Sequence, residues 1–323
     1  MTLLKRCRLN NSSYHGQLEN FYPHDRGHSL FLAVITALFA VAAGCASFPS
    51  GSAAPGGTLG FGEPDSISWQ PVARGIDLAE FFSEGPPLRV YCLRVDTRTP
   101  GVEIIVTPPE RATAAAEYPG RRTSTFLERF DLTAAVNGSP FDPVRLNEGK
   151  PTDIVGISVF RGAAVSPPEA SYDCLVRYSS GDFAIISQTE FPSDIDLALG
   201  GFHRILEDGG PVGPAAAAGA KKAAPVRHPR TGVGVSRSGR ILYMVVIDGR
   251  NPVSSIGATE TELAEWLAYF GARDGINLDG GGSSTMVIAD GEGKAQIINY
   301  PLGYGRLGME RVVGNHLGVA AAR

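Results

Sequence analysis

Hydrophobic and polar positions along the chain outline strands before anything else. Val102, Ile104 and Val106 alternate with Glu103, Ile105 and Thr107, the period of a half-buried strand. GISVFRGAAVS, residues 156–166, reads as a strand running into a turn. CLVRYSSGDFAIIS, residues 174–187, reads as a hairpin with SSGD at its tip. A further hairpin, GVGVSRSGRILYMVVIDGR, turns at SRSG. Its second arm, Ile241 to Ile247, is apolar on both faces, as in a central strand covered on both sides.

Two segments carry the helical period instead. In ATETELAEWLAYFG, Leu263, Trp266, Leu267 and Phe270 form one apolar stripe. Thr259 and Glu262 make a capping box, Glu260 and Glu262 suit the positive helix start, and Gly271 ends the helix. A shorter helix is predicted over Ser124 to Phe130, with Phe126, Leu127 and Phe130 inward. The expected fold is α+β: one strand-rich domain with a mixed or antiparallel sheet and a few packed helices.

The ends of the chain read differently. FLAVITALFAVAAG, residues 31–44, is apolar and uncharged, short for a spanning helix but suited to a signal-peptide core. Small residues and Cys45 follow it, resembling a bacterial lipobox with Ala42 in place of the usual Leu. The expected organisation is a leader and signal peptide over 1–44, a lipidated Cys45 with a Ser/Gly/Pro/Ala-rich tether over 45–65, and a folded domain over 66–323. That makes the protein exported and held to the membrane by its lipid alone. Within the domain, 211–229 is low in complexity and reads as a mobile surface loop.

Composition narrows the partners. The chain is 43% hydrophobic and carries a formal charge of -4, with its leader basic and its body therefore more acidic than the whole. No basic stripe is present, which argues against nucleic acid. Cys92 and Cys174 form no CxxC pair or Cys/His cluster. They either pair as a disulfide or serve as small buried hydrophobes.

The chemistry concentrates in INLDGGGSSTMVI, residues 276–288. Asp279 stands at a strand end, Gly280, Gly281 and Gly282 admit close approach of a ligand, and Ser283, Ser284 and Thr285 follow at once. Consecutive amides in such a turn form an anion-binding nest. No Lys follows the glycines, so this is not a Walker loop, and no Gly follows the serine, so it is not a nucleophile elbow.

In order along the chain stand HPRTGVGVSRSGRILYMVVIDGR, GATETELAEWLAYFGARDGINLDGGGSSTMVI and MERVVGNHLGV. Together they resemble the core of the phosphodiester glycosidase family. TAAVNGSPFDP resembles that family's N-G-G-F-F segment, with Ser139 and Pro140 departing from it, and Leu199 to Gly209 resembles a family strand and turn. The resemblance runs from about Arg121 to Val319.

The resemblance implies hydrolysis of a sugar linked through C1 to a phosphodiester. Arg230, Arg250 and Arg311 would grip the phosphate with bidentate forks. Asp279 is the first choice for acid–base or nucleophilic work, then Asp248 and Glu260, with Asp142 and Glu310 behind them. Asn137 and Asn315 would orient sugar hydroxyls, Gly280, Gly281, Gly282, Ser283, Ser284 and Thr285 would line the substrate, and Phe141 or Tyr304 would offer an aromatic face. His316 is either near the site or a core histidine. No cofactor is demanded, though Asp279 and Asp248 could hold Ca²⁺. The alternative is a non-catalytic surface lipoprotein that binds glycans or envelope polymers; a purely structural envelope protein would need no such cluster.

Overall fold

Alternate residues of the strand Ile241–Ile247 face a helix, and those between them face a second layer of sheet. Tyr243, Val245 and Ile247 pack with Leu263, Trp266 and Leu267, whereas Leu242, Met244 and Val246 pack with Leu175, Leu199, Val136 and Leu317. The strand is thus covered on both sides, as its unbroken apolar run predicts. A computed structural model describes residues 66–110, 117–189, 193–217 and 226–322. The leader, Cys45 and the tether lie outside the described residues.

The strand belongs to an eight-stranded sheet in the order Gln70–Ala73, Ile76–Glu84, Pro87–Asp96, Ile241–Ile247, Arg230–Val235, Asp274–Asn277, Arg204–Glu207, Gly210–Pro211. One five-stranded sheet runs Ala295–Ile297, Met286–Ala289, Ala134–Asn137, His316–Ala320, Glu103–Val106. The other runs Ala163–Ser166, Ser158–Phe160, Ile195–Gly200, Asp173–Tyr178, Phe183–Ser187. A three-stranded patch joins Tyr118–Pro119, Pro151–Ile154 and Phe141–Asp142. Every strand pair in these sheets is antiparallel. The main core lies between the eight-stranded sheet and the two five-stranded ones.

The helix Glu260–Phe270 forms as its sequence dictates. Thr259 caps it, the reciprocal bonds with Glu262 are both made, and Gly271 closes it in the left-handed conformation. It sits low on the sheet because Gly234 and Gly275 carry no side chain: a methyl at Gly234 would stand 2.5 Å from Ala272 Cβ, and one at Gly275 2.8 Å from Leu267. Thr123–Arg129 covers the outer face of a five-stranded sheet with Phe126 and Leu127 buried. Phe130, expected to point inward, is only half-buried at the helix end.

Two expectations change and one open alternative closes. Beside these two helices the described residues hold one α-helical turn, Pro214–Ala217, and two 3₁₀ turns, Gly281–Ser283 and Gly303–Gly305, so the class is mostly β with antiparallel sheets rather than evenly α+β. Of the expected loop 211–229, the described residues are in part ordered elements. Gly210–Pro211 joins the eight-stranded sheet, Thr261 Oγ1 bonds Ala215 O, and His228 bridges to Ala258. Cys92 and Cys174 are free and buried in separate core clusters, which settles their role as small apolar residues. Among the described residues no helix is long and apolar enough to cross a membrane.

Candidate active site

The glycine loop leaves the strand Asp274–Asn277 of the eight-stranded sheet and enters Met286–Ala289 of a five-stranded one. It therefore lies across the joint between two sheets. Asn137, fully buried at the end of Ala134–Asn137, fastens it there. Its Nδ2 donates to Asp279 O at 2.7 Å, and its Oδ1 accepts from Thr231 Oγ1 at 2.8 Å and from the Thr285 amide at 3.2 Å.

Backbone meets the first of the three glycines and arginine guanidinium groups meet the other two. Gly280 lies against the Pro229–Arg230 backbone, where a methyl would stand 3.0 Å from Pro229 O. Gly281, at φ +62°, faces Arg250, whose Nη2 would be 3.2 Å from such a methyl. At Gly282 the corresponding distance to Arg311 Nη2 is 2.6 Å. Side chains at positions 281 and 282 would occupy the room that the guanidinium groups of Arg250 and Arg311 fill. Most of the loop amides, by contrast, are already committed. Gly280 N donates to Asp279 Oδ1, Gly281 N to Pro229 O, Ser283 N to Gly280 O, Ser284 N to Gly281 O. The expected anion nest is thus largely closed, because the tight turn uses its own donors.

Asp279 sits among these groups. Ser283 hydrogen-bonds its carboxylate, and Arg311 Nη1 donates to Ser283 Oγ at 3.4 Å, so guanidinium, hydroxyl and carboxylate form a chain. Burial pushes the Asp279 carboxyl above its ordinary range, against the opposing pull of Ser283, Arg311 and the Gly280 amide. The Arg311 guanidinium also stands 6.0 Å from the Tyr304 ring centre, and its buried Nε has no protein partner.

On the other side of the loop stand Arg230, Glu260 and Asn277. Arg230 Nη1 and Asn277 Nδ2 each lie 3.4 Å from Glu260 Oε1, and Arg230 Nε donates to Ala258 O at 3.1 Å. Asn277 Oδ1 is buried without a protein partner. His228 completes this side: its Nδ1 takes Arg250 Nε at 3.2 Å and Nη2 at 3.1 Å. Burial, then the charges of Arg250 and Arg230, drive its pKa down to about 4, so it is neutral and able to accept. Neither His228 nor Asn277 stands out in the sequence. His228 falls at the end of the low-complexity stretch and Asn277 reads as an ordinary strand residue; the only signal was their place inside the HPRT and INLDGGG segments.

Several expected site residues lie elsewhere. Asp248 is buried behind the loop: its carboxylate accepts from Asn299 Nδ2 at 2.9 Å and from the Tyr300 amide at 3.0 Å, and Asn299 also donates to Ser284 O. Asp248 and Asp279 thus have separate partners, and among the described residues no three His, Cys, Asp or Glu side chains gather as metal ligands. Asn315 is fully buried and holds Ser139 through both amide atoms, so neither it nor Asn137 presents a side chain at the surface of the loop. Ser283, Ser284 and Thr285 are also buried, each about 1% exposed. Glu310 accepts from the Ser124 amide at 2.9 Å and its hydroxyl, filling the cap that Arg122 cannot supply. Asp142 is exposed on its short strand. Phe141 packs in a core cluster with Tyr118 and Ile154. His316 stacks on Phe126 in the core, its pKa driven down to about 3 by burial.

Comparison with known proteins places this arrangement. The catalytic domain of zebrafish N-acetylglucosamine-1-phosphodiester alpha-N-acetylglucosaminidase, in a form auto-inhibited by its pro-peptide, matches with a TM-score of 0.57 at 18% identity, over 80% of this chain and 86% of that one. A protein of Burkholderia pseudomallei described as exported matches at 0.52 and 18%, over 72% of this chain and 74% of that one. A hypothetical protein from Synechocystis matches at 0.50 and 16%, over 80% and 64%. At these identities the likeness is one of fold. No curated protein matches the sequence. The phosphodiester glycosidase profile matches residues 130–320, more than half of the chain and the whole of the glycine loop with its arginines. The chain belongs to the phosphodiester glycosidase family.

Proposed function

We propose that the protein is an exported, lipid-anchored hydrolase that cleaves the C1–O bond of a sugar joined through C1 to a phosphodiester, in envelope or environmental glycans. Water adds to C1, the C1–O bond breaks, and its oxygen leaves with the phosphate as a phosphomonoester. The observation that carries this reading is the placing of the Arg250 and Arg311 guanidinium groups against Gly281 and Gly282, beside the Asp279 carboxylate.

The electrostatics favour catalysis over simple binding. A phosphodiester carries one negative charge, and the departing monoester gains more. Fixed arginines therefore bind the transition state better than the ground state. With most of the loop amides committed, the anion half of the work falls to Arg250, Arg311 and Arg230. A phosphate leaves readily, so Asp279 serves as nucleophile or base rather than as a strong acid. Glu260, held by Arg230 and Asn277, takes a sugar hydroxyl. Asn137, Asn315 and Asp248 act at one remove by holding the loops in place. Export and anchoring rest on the apolar run 31–44 followed by Cys45, and agree with a structural relative described as exported.

The test is a paired assay on a chromogenic α-sugar-1-phosphodiester and the matching neutral aryl glycoside. Wild type should prefer the phosphodiester, and Arg311→Ala should lose at least about tenfold more on it than on the neutral glycoside. Preference for the neutral glycoside would overturn the substrate class. Binding without turnover of either would leave the glycan-binding lipoprotein as the reading.

A further inference from the structure

Two groups of residues adjoin the glycine loop. Arg230, Glu260, Asn277 and His228 make a polar, hydrogen-bonded group. In the other group, the Tyr304 ring stands beside Arg311, and its hydroxyl donates to Arg145 O and accepts from the Val312 amide at 3.1 Å. The first of these bonds ties the segment 300–309 to the loop 143–149, and the second holds Tyr304 to the strand-like run that follows Arg311. Nine large hydrophobic side chains stay exposed among the described residues, and five of them fall on these two segments: Val144, Leu146, Tyr300, Leu307 and Met309. Leu146 is 69% exposed and Leu307 56%. Neither segment packs these side chains into a core cluster. Apolar side chains held in water on two mutually bonded loops beside an anion site are a surface awaiting an apolar ligand.

We propose that the substrate's aglycone is apolar, an alkyl or lipid alcohol esterified to the sugar 1-phosphate; this rests on the reading of the loop as a sugar-phosphodiester site. The sugar lies on the Arg230–Glu260–Asn277 side, the phosphate between Arg250 and Arg311, and the alkyl chain runs past Tyr304 between Leu146 and Leu307. The phosphate, once fixed by the arginines, sets the start of the chain, so the apolar rim reads the group esterified to it. A polar aglycone would leave that rim wet.

The experiment uses the purified full chain and a series of α-sugar-1-phosphodiesters bearing methyl, butyl and octyl aglycones below their aggregation limits. Each methylene covered by the rim multiplies kcat/KM by about four, so cover over about three of them favours octyl over methyl by about 60-fold. Leu146→Ser and Leu307→Ser should each cut the octyl-to-methyl ratio to about a third or less, with melting temperature held as the check on folding. A flat series in wild type, with methyl and octyl turned over equally, overturns the apolar aglycone and leaves the rim to a macromolecular partner. Turnover of no member of the series overturns the hydrolase reading itself, and the aglycone proposal with it.

Discussion

The guanidinium of Arg311 fills the space that a side chain at residue 282 would need: a methyl on Gly282 would stand 2.6 Å from Nη2 and 2.9 Å from Leu302 O. Leu302 O is backbone and holds its place, so the flexible guanidinium is the neighbour that must move. Gly282→Ala should therefore displace Arg311, raising KM for the phosphodiester at least about tenfold and lowering stability by about 1–3 kcal/mol. Steady-state kinetics with a denaturant titration checks both; an unchanged KM would detach Arg311 from the substrate.

Asp279→Asn should separate activity from stability. Turnover should fall about 10²- to 10⁴-fold as a catalytic carboxylate is lost. Stability should rise at neutral pH. Burial lifts the folded-state pKa of Asp279 above its unfolded value, so this group favours folding when protonated, below its unfolded range, and that contribution is lost as pH rises through the folded pKa. Removing the charge removes the deficit. A melting temperature at pH 7 below that of wild type would count against the raised carboxyl.

His228 gives the opposite sign. Its folded-state pKa of about 4 lies below the ordinary imidazole value of 6.5. Its contribution to folding is full above about 6.5 and is lost as pH falls toward 4, because the unfolded chain takes up the proton first. His228→Gln keeps an acceptor for Arg250 while removing the titration. Urea unfolding across this range should show a shallower acid-side loss of stability in the variant, by up to one proton's worth of slope. Identical slopes would mean that His228 titrates alike folded and unfolded.

Asn299 links the layer behind the loop to the loop itself. It accepts from the Met286 amide at 2.8 Å and donates to both Asp248 Oδ1 and Ser284 O. Asn299→Ala leaves three buried polar groups short of a partner and should destabilise the fold by about 2–4 kcal/mol. Turnover should fall with it, because Ser284 adjoins the glycine loop. Chemical denaturation measures the first effect, and a loss below about 1 kcal/mol would mean that water replaces the amide.

On the proposed lipid anchoring through Cys45, Cys45→Ala should move the protein from the membrane to the soluble exported fraction. Fractionation and blotting decide it. Retention on the membrane would point to the apolar run 31–44 as an uncleaved anchor.

The sequence by itself determined the local features. Thr259, Glu262 and Gly271 fix the ends of the helix Glu260–Phe270, because capping is a matter of residues three or four apart. The alternation and apolar runs fix the strand Ile241–Ile247 and its turn at residues 236–239, because burial on both faces needs no particular partner. The ordered motifs also carried the family. Only the tertiary structure decided which groups share one space. Arg250 and Arg311 reach Gly281 and Gly282 from opposite sides in sequence, and nothing local says which glycine meets which arginine. Asp248 carries the same carboxylate as Asp279, yet sheet packing turns it to Asn299 and Tyr300 behind the loop. Asn137 and Asn315 looked like ligands because buried amides and cleft amides have the same letter, and only burial separates them. His228 looked like loop because its partner Ala258 lies 30 residues on, across a bridge that forms only when the helix docks. Side-chain chemistry is written residue by residue, but a site is a set of distances, and those depend on how the sheets close on one another.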